Sequence, residues 1–388
     1  MKFNCMPHKL IIPALFLLLF CRCQNDAAKH ENVFADLKTD STLRYAKRFS
    51  IAANDYVTAV YLFGNRANRD TTAVFYICKD SLALKEGVTH AYLLRSPCKK
   101  IAALSSIYAS MLCDLRATDA LAAIDNIDYI TNPRIIDKYN AHHLEELSKG
   151  PQPDLERLVA LHPDVVFSFG MGNPASDLDP KLKQTGIPVA MSVDHLEATP
   201  LARAEWIKFF AAFVDKKQLA DSIFSETEKN YFALKDLAQH AAERPTVFSE
   251  IKYSDAWYLP GGKSFMAQLI SDAHADYLWK NDTNAGSLPL SFEQVYARAH
   301  DADYWLNPSM VTKKTGLLSY ESRYGSFKAF KENHVYNNNK NANAKGYSAY
   351  WETGMIYPNR ILSDLIYIFH PGLRAQLKND LYYYRQIN

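Results

Sequence analysis

Hydroxyl, aromatic and glycine residues, rather than charged ones, stand where this chain could do chemistry. Ser105, Ser106 and Tyr108 follow a short apolar segment, Ser168, Gly170 and Met171 follow a second, and His195 follows a third. In the second half, Trp257, Tyr258 and Gly261 share one loop, and Tyr347 and Trp351 share another that begins Asn-rich. Side chains of these types hold a bulky, partly apolar ligand by stacking and hydrogen bonds. They are therefore the expected ligand contacts, with Trp257 and Tyr258 foremost.

Covalent and metal chemistry find less support. Ser105 and Ser168 are candidate nucleophiles of a secreted serine hydrolase, but neither sits in a G-x-S-x-G elbow. Gly170-Met171-Gly172 lacks the third glycine of a phosphate loop. His195 lies in Asp194-His-Leu-Glu197, a set that a zinc or manganese receptor would use. The adjacent pair His142-His143 would point its rings apart on a helix, and no H-E-x-x-H or Cys/His zinc spacing occurs. No catalytic residue, resident metal or cofactor is expected.

The loops need a scaffold, and its clearest mark is the stretch 201–244. It holds neither Gly nor Pro and is bounded by Pro200 and Pro245. Leu219, Ile223, Tyr231, Leu234 and Leu237 recur there at helical steps. A single helix over residues 216–242 would span about 40 Å at 1.5 Å per residue. Strand-then-helix patterns lie on both sides of it. Residues 155–168 (helix, Asp-bearing turn, strand) are echoed by residues 291–307. The expected fold is α/β, two Rossmann-like lobes joined by a long linker helix, with an extra N-terminal β segment. In such sheets ligands bind beyond the carboxyl ends of the strands, which is where the singled-out residues fall. The expected divisions are a β segment at 41–97, a first lobe at 98–200, linker helices at 201–243 and a second lobe at 244–388. Strands are expected over 49–63, 72–78 and 88–95.

The 388 residues are 48% hydrophobic, with a formal charge of +2. Lys2 and Lys9 supply that excess, so the chain beyond residue 20 is close to neutral, which excludes the basic footprint of a nucleic-acid binder. The same two lysines precede an apolar run at 10–20, and Cys21 follows it. This reads as a secretory signal over 1–20, too short to span a bilayer. Leu18-Leu19-Phe20-Cys21 resembles a lipobox, which makes Cys21 the expected lipidation site (Cys23 the fallback) and residues 21–40 a tether. Beyond it Cys78, Cys98 and Cys113 are an odd set, so at least one thiol is free. Cys78 and Cys98 are the pair that could join, although buried, unpaired thiols are expected.

Residues 100–115, 154–170 and 186–189 resemble the first lobe of the helical-backbone (class III) substrate-binding proteins, which serve bacterial ABC importers of ferric siderophores, haem and cobalamin. Residues 244–277 and 290–307 resemble their second lobe. Residues 200–209, 350–352, 369–371 and 381–384 resemble lipoprotein versions from Bacteroidetes. The resemblance implies a monomeric periplasmic lipoprotein. It would be anchored to the cell or outer membrane and capture an iron complex, haem or corrinoid between its lobes for an ABC permease. It leaves the choice of ligand open.

Overall fold

A computed structural model describes Met1 and residues 33–64, 70–79, 91–148, 153–377 and 380–388. The expected signal, Cys21, Cys23 and most of the tether lie outside the described residues. Residues 36–388 form one compact unit.

The chain enters through a five-stranded sheet of Lys38–Thr39, Phe49–Ala53, Val57–Phe63, Thr71–Cys78 and Tyr92–Arg95, in that spatial order. Neighbours are antiparallel except the last pair. The strand expected over 49–63 is in fact a hairpin. Asn54 breaks it, its Oδ1 accepting the N–H groups of Tyr56 (3.0 Å) and Val57 (2.9 Å), a side-chain turn that competes with the ladder. One face of this sheet joins the first lobe's core. Phe49 meets Trp206 edge-on at 4.9 Å and Phe75 meets Phe213 at 5.4 Å.

The first lobe is a parallel five-stranded sheet, ordered Val189–Ser192, Val165–Phe169, Ile101–Ala103, Leu121–Ile124, Glu145–Glu146. Its central strand is wholly buried, as strands covered on both faces must be. Helix α1 (Ser106–Asp114) leaves that strand directly. Ser105 caps it, its Oγ accepting the Ile107 N–H at 3.3 Å.

The second lobe repeats the plan. Asp276–Tyr277, Thr246–Ser249, Tyr304–Leu306 and Val335–Asn337 run parallel, and Arg385–Gln386 closes the edge antiparallel. A small antiparallel sheet of Lys252–Tyr253, Ala256–Pro260 and Ser287–Leu290 stands beside it.

Helix α2 (Lys217–Ala238) links the lobes. Its 22 residues span about 33 Å, ending earlier than the sequence suggested. The buried face runs through Ala220, Phe224, Thr227, Tyr231 and Ala238, one position round from the expected stripe. Leu234 and Leu237 are left at its half-buried margin. Ala220 and Phe224 belong to the first lobe's core, Tyr231 and Ala238 to the second's. One rod is thus rooted in both cores. Helices α3 (Ala349–Thr353) and α4 (Pro358–Phe369) follow, the second packing along α2. Cys98 and Cys113 are free and buried, Cys78 is buried as well, and burial pushes the Cys98 thiol up to about 12. No described helix is long and apolar enough to cross a membrane.

Candidate functional site: a cleft at the carboxyl ends of two sheets

Two adjoining cavities open where the carboxyl ends of the parallel strands of both lobes meet. The first is about 520 Å³. The first lobe supplies Ser105 and Ser106 after its central strand, Asp125 and Tyr129 after the next, and Phe169 at the end of another. Met310, Tyr347 and Trp351 face them from the second lobe. The second cavity is about 490 Å³ and shares Met310, Gly346, Ser348 and Trp351 with the first. Tyr253, Tyr258 and Tyr320 ring its mouth, and Glu250, Asn307, Asn338 and Asn339 lie deeper.

The aromatic rim is solvent-facing in a way core aromatics are not. Trp351 is 61% exposed and Phe169 49%. Exposed large apolar surface gathered at one concavity marks a binding surface. The lobes also touch beside it. Tyr129 and Tyr347 meet edge-on at 4.6 Å, and Asn343 Nδ2 donates to the carbonyls of Asp128 (2.8 Å) and Ile130 (3.2 Å). Glu352 on α3 reaches further. It accepts the Ser110 hydroxyl on α1 at 2.6 Å, the Thr131 N–H at 2.6 Å, the Thr131 hydroxyl and the Asn132 N–H at 3.2 Å.

The backbone bends sharply at the second-lobe strand ends. Glu250, Asn307 and Ser309 adopt φ of 65°, 55° and 56°, left-handed conformations that non-glycine residues adopt at a cost. Burial of the Glu250 carboxyl pushes its pKa up to about 8, against a lowering hydrogen bond from Asn307.

The family described as periplasmic binding protein matches residues 101–342. The chain belongs to that family. An uncharacterised lipoprotein of Methanocaldococcus jannaschii is 27% identical over 229 residues, 58% of this chain and 52% of that protein, so the match spans about half of that relative's length. The vitamin B12-binding protein of Vibrio parahaemolyticus is 26% identical over 203 residues, 51% of this chain and 68% of its own length. Among solved structures, a periplasmic haem-binding protein from Pseudomonas aeruginosa aligns with TM-score 0.57 at 16% identity, covering 75% of this chain and 98% of that one. The periplasmic vitamin B12 binding protein of Vibrio cholerae aligns with TM-score 0.51 at 14% identity, covering 73% and 99%. These structures share the two-lobed α/β fold.

In this periplasmic binding protein, Ser105, Ser106, Tyr258, Tyr347 and Trp351 line the cleft, and the remaining expected contacts do not. Trp257 is the main correction. It is fully buried, its Nε1–H donates to the Ser249 carbonyl at 2.9 Å, and it packs among Phe248, Phe292, Trp305 and Tyr324. In a strand, neighbours face opposite ways, so Tyr258 turns outward because Trp257 turns in. Phe169 likewise occupies the cleft position that Ser168, one residue earlier, was expected to fill. Tyr108 is 1% exposed, stacked on Phe210 at 5.1 Å, with its hydroxyl 3.3 Å from Asp194 Oδ1.

Gly170 and Gly261 are buried packing positions. A Cβ at Gly261 would lie 2.3 Å from the Asn284 carbonyl oxygen, and one at Gly170 would lie 2.9 Å from Asp177 Oδ2. Met171 is exposed but lines neither cavity. His195 sits behind Phe169, rings 4.5 Å apart, with both nitrogens shielded and unpartnered, and burial pushes its pKa down. Among the described residues no three His, Cys, Asp or Glu side chains are grouped to hold a metal, the arrangement a zinc or manganese receptor needs. Sequence reasoning missed Asp125, Tyr129, Phe169 and Glu250. Their signal was position, each standing at or just after a strand's carboxyl end.

Proposed function

We propose that this chain is the substrate-binding lipoprotein of an ABC importer. In this reading a lipid on Cys21 holds it to the membrane, and it captures a ferric siderophore, haem or corrinoid in the periplasm and delivers it to the permease. The observation that carries the reading is the cleft. Its cavities of about 520 and 490 Å³ adjoin across Met310, Gly346, Ser348 and Trp351, and together they draw residues from both lobes, a size and lining suited to a large, flat, partly apolar ligand. The relatives named for vitamin B12 and haem binding support the same ligand class. In this reading binding is non-covalent and without turnover, and Ser105 serves as the cap of α1 at the cleft. Helix α2, rooted in both cores, restricts closure to a small tilt rather than a wide hinge swing.

The test is intrinsic fluorescence of the detergent-purified full chain, titrated with haem, cyanocobalamin and ferric siderophores. Trp206, Trp257, Trp279 and Trp305 are buried, whereas Trp351 lines the cleft. Saturable sub-micromolar quenching by one compound supports the reading. No response across the panel, with a response to zinc or manganese ions instead, overturns it.

A further inference from the structure

Two further cavities lie along the linker helix and share no lining residue with the cleft. They measure about 280 and 320 Å³ and adjoin across Asn230, Asn359, Arg360 and Tyr382, between α2 and the start of α4. Along α2 the lining changes character in one direction. Glu226 stands at one end, Asn230 in the middle, and Leu234 and Leu237 at the other end, where Leu377 joins them. Steps of four and three residues keep these side chains on one helix face, roughly 5–6 Å apart. Arg360 lines both cavities, so it stands between the acidic end and the apolar one.

Arg360 is oriented by stacking rather than by a carboxylate. Its guanidinium lies 3.9 Å from the centre of the Tyr357 ring and 5.6 Å from that of Tyr382. Such contacts occupy the faces of the planar group and leave its N–H edges to an anion. Asp114, an acid near enough to feel the charge, instead accepts the Tyr357 hydroxyl at 3.0 Å. Neither Arg360 nor Glu226 enters an ion pair among the described residues. The complement of this surface is an ammonium, then an anion about one helical turn away, then an apolar chain. Ethanolamine phosphate holds its two charges apart on a short carbon arm, and a phosphate suits the guanidinium fork. In an α-amino acid the two charges share one carbon, and a fatty acid offers nothing to Glu226. We propose that this groove binds a phosphoethanolamine lipid, its ammonium at Glu226, its phosphate at Arg360 and its upper acyl carbons against Leu234, Leu237 and Leu377.

The inference goes beyond the importer reading and does not depend on it, because the groove is separate from the cleft. Its test is calorimetry of the detergent-purified full chain, against a protein-free detergent blank. The probes are dihexanoyl phosphatidylethanolamine, dihexanoyl phosphatidylglycerol (no ammonium), glycerophosphoethanolamine (no acyl chain) and leucine. The ethanolamine lipid should bind saturably and about tenfold more tightly than each of the others. Glu226→Gln, at an exposed position, should erase the preference for the ethanolamine lipid while leaving phosphatidylglycerol within about twofold. Arg360→Gln should weaken both lipids by about tenfold or more, since both present a phosphate to it. Should that variant unfold, Glu226→Lys decides the matter: reversing the exposed charge should invert the preference. Equal binding of glycerophosphoethanolamine would make the groove a site for a free phosphodiester and overturn the inference. So would tighter binding of leucine, no binding of the ethanolamine lipid, or a lipid preference that Glu226→Gln leaves intact.

Discussion

Replacing Glu352 by Ala should cost about 4 kcal/mol of folding stability, since four donors in the first lobe converge on that one carboxylate. Those donors are the hydroxyls of Ser110 and Thr131 and the backbone N–H groups of Thr131 and Asn132. Glu352 is 1% exposed and Ser110 fully buried, so water cannot readily replace the lost acceptor at Ser110. Its stranded hydroxyl alone accounts for about 1–3 kcal/mol, and the three half-buried donors contribute the remainder after partial rehydration. With a urea slope of about 3 kcal/mol per molar or more for a chain this long, the midpoint should fall by about 1 M. Glu352→Gln, which keeps one acceptor but turns an NH₂ toward the other donors, should lose roughly half as much. The assay is urea unfolding followed by circular dichroism and fluorescence together, because coincident transitions are needed for the two-state conversion. A midpoint shift in Glu352→Ala below about 0.2 M at unchanged slope would refute the reasoning. It would mean that the contact does not join the lobes in solution.

Three further outcomes follow from the same geometry. Trp257→Ala should destabilise by about 3–5 kcal/mol as a large core truncation; a variant of unchanged stability that instead loses ligand affinity would return Trp257 to the cleft. Trp351→Phe should retain binding by calorimetry yet lose most of the ligand-induced fluorescence change, and full quenching in that variant would place the reporter elsewhere. The Glu250 carboxyl has its pKa raised to about 8 by burial, so the native state holds its proton more tightly than the unfolded chain. The stability from that proton is complete below about 4.5, the ordinary value, and is lost as pH rises through about 8. Relative to Glu250→Gln, the wild-type melting temperature should therefore decline from about pH 4.5 to 8 and level off above, and parallel curves across that window would contradict the assignment.

Local patterning settled much of the architecture. Gly- and Pro-free helical spacing predicted the strut, and helix 155–161 and the capping residues Ser105 and Ser291 follow from side chains that bond their own backbone. The strand-end rule found the loops that bring Ser105, Ser106 and Tyr347 to the cleft and lead into Trp351, whereas Tyr258, expected in a loop, lies within the strand Ala256–Pro260. What sequence could not decide was which member of each loop faces the ligand. Trp257 and Tyr258 have similar chemistry, and only pairing of Ala256–Pro260 with Ser287–Leu290 sends one into the core and the other to the cavity. Ser168 and Phe169 separate for the same reason, a period of two fixed by neighbouring strands. Glu352 belongs to a second class. Read locally it is a polar helix residue, and its role arises from partners such as Ser110, more than 200 positions away. Segments whose physics is local were legible in the chain itself. Facing, burial and long-range pairing are properties of the packed whole, and the tertiary structure alone decided them.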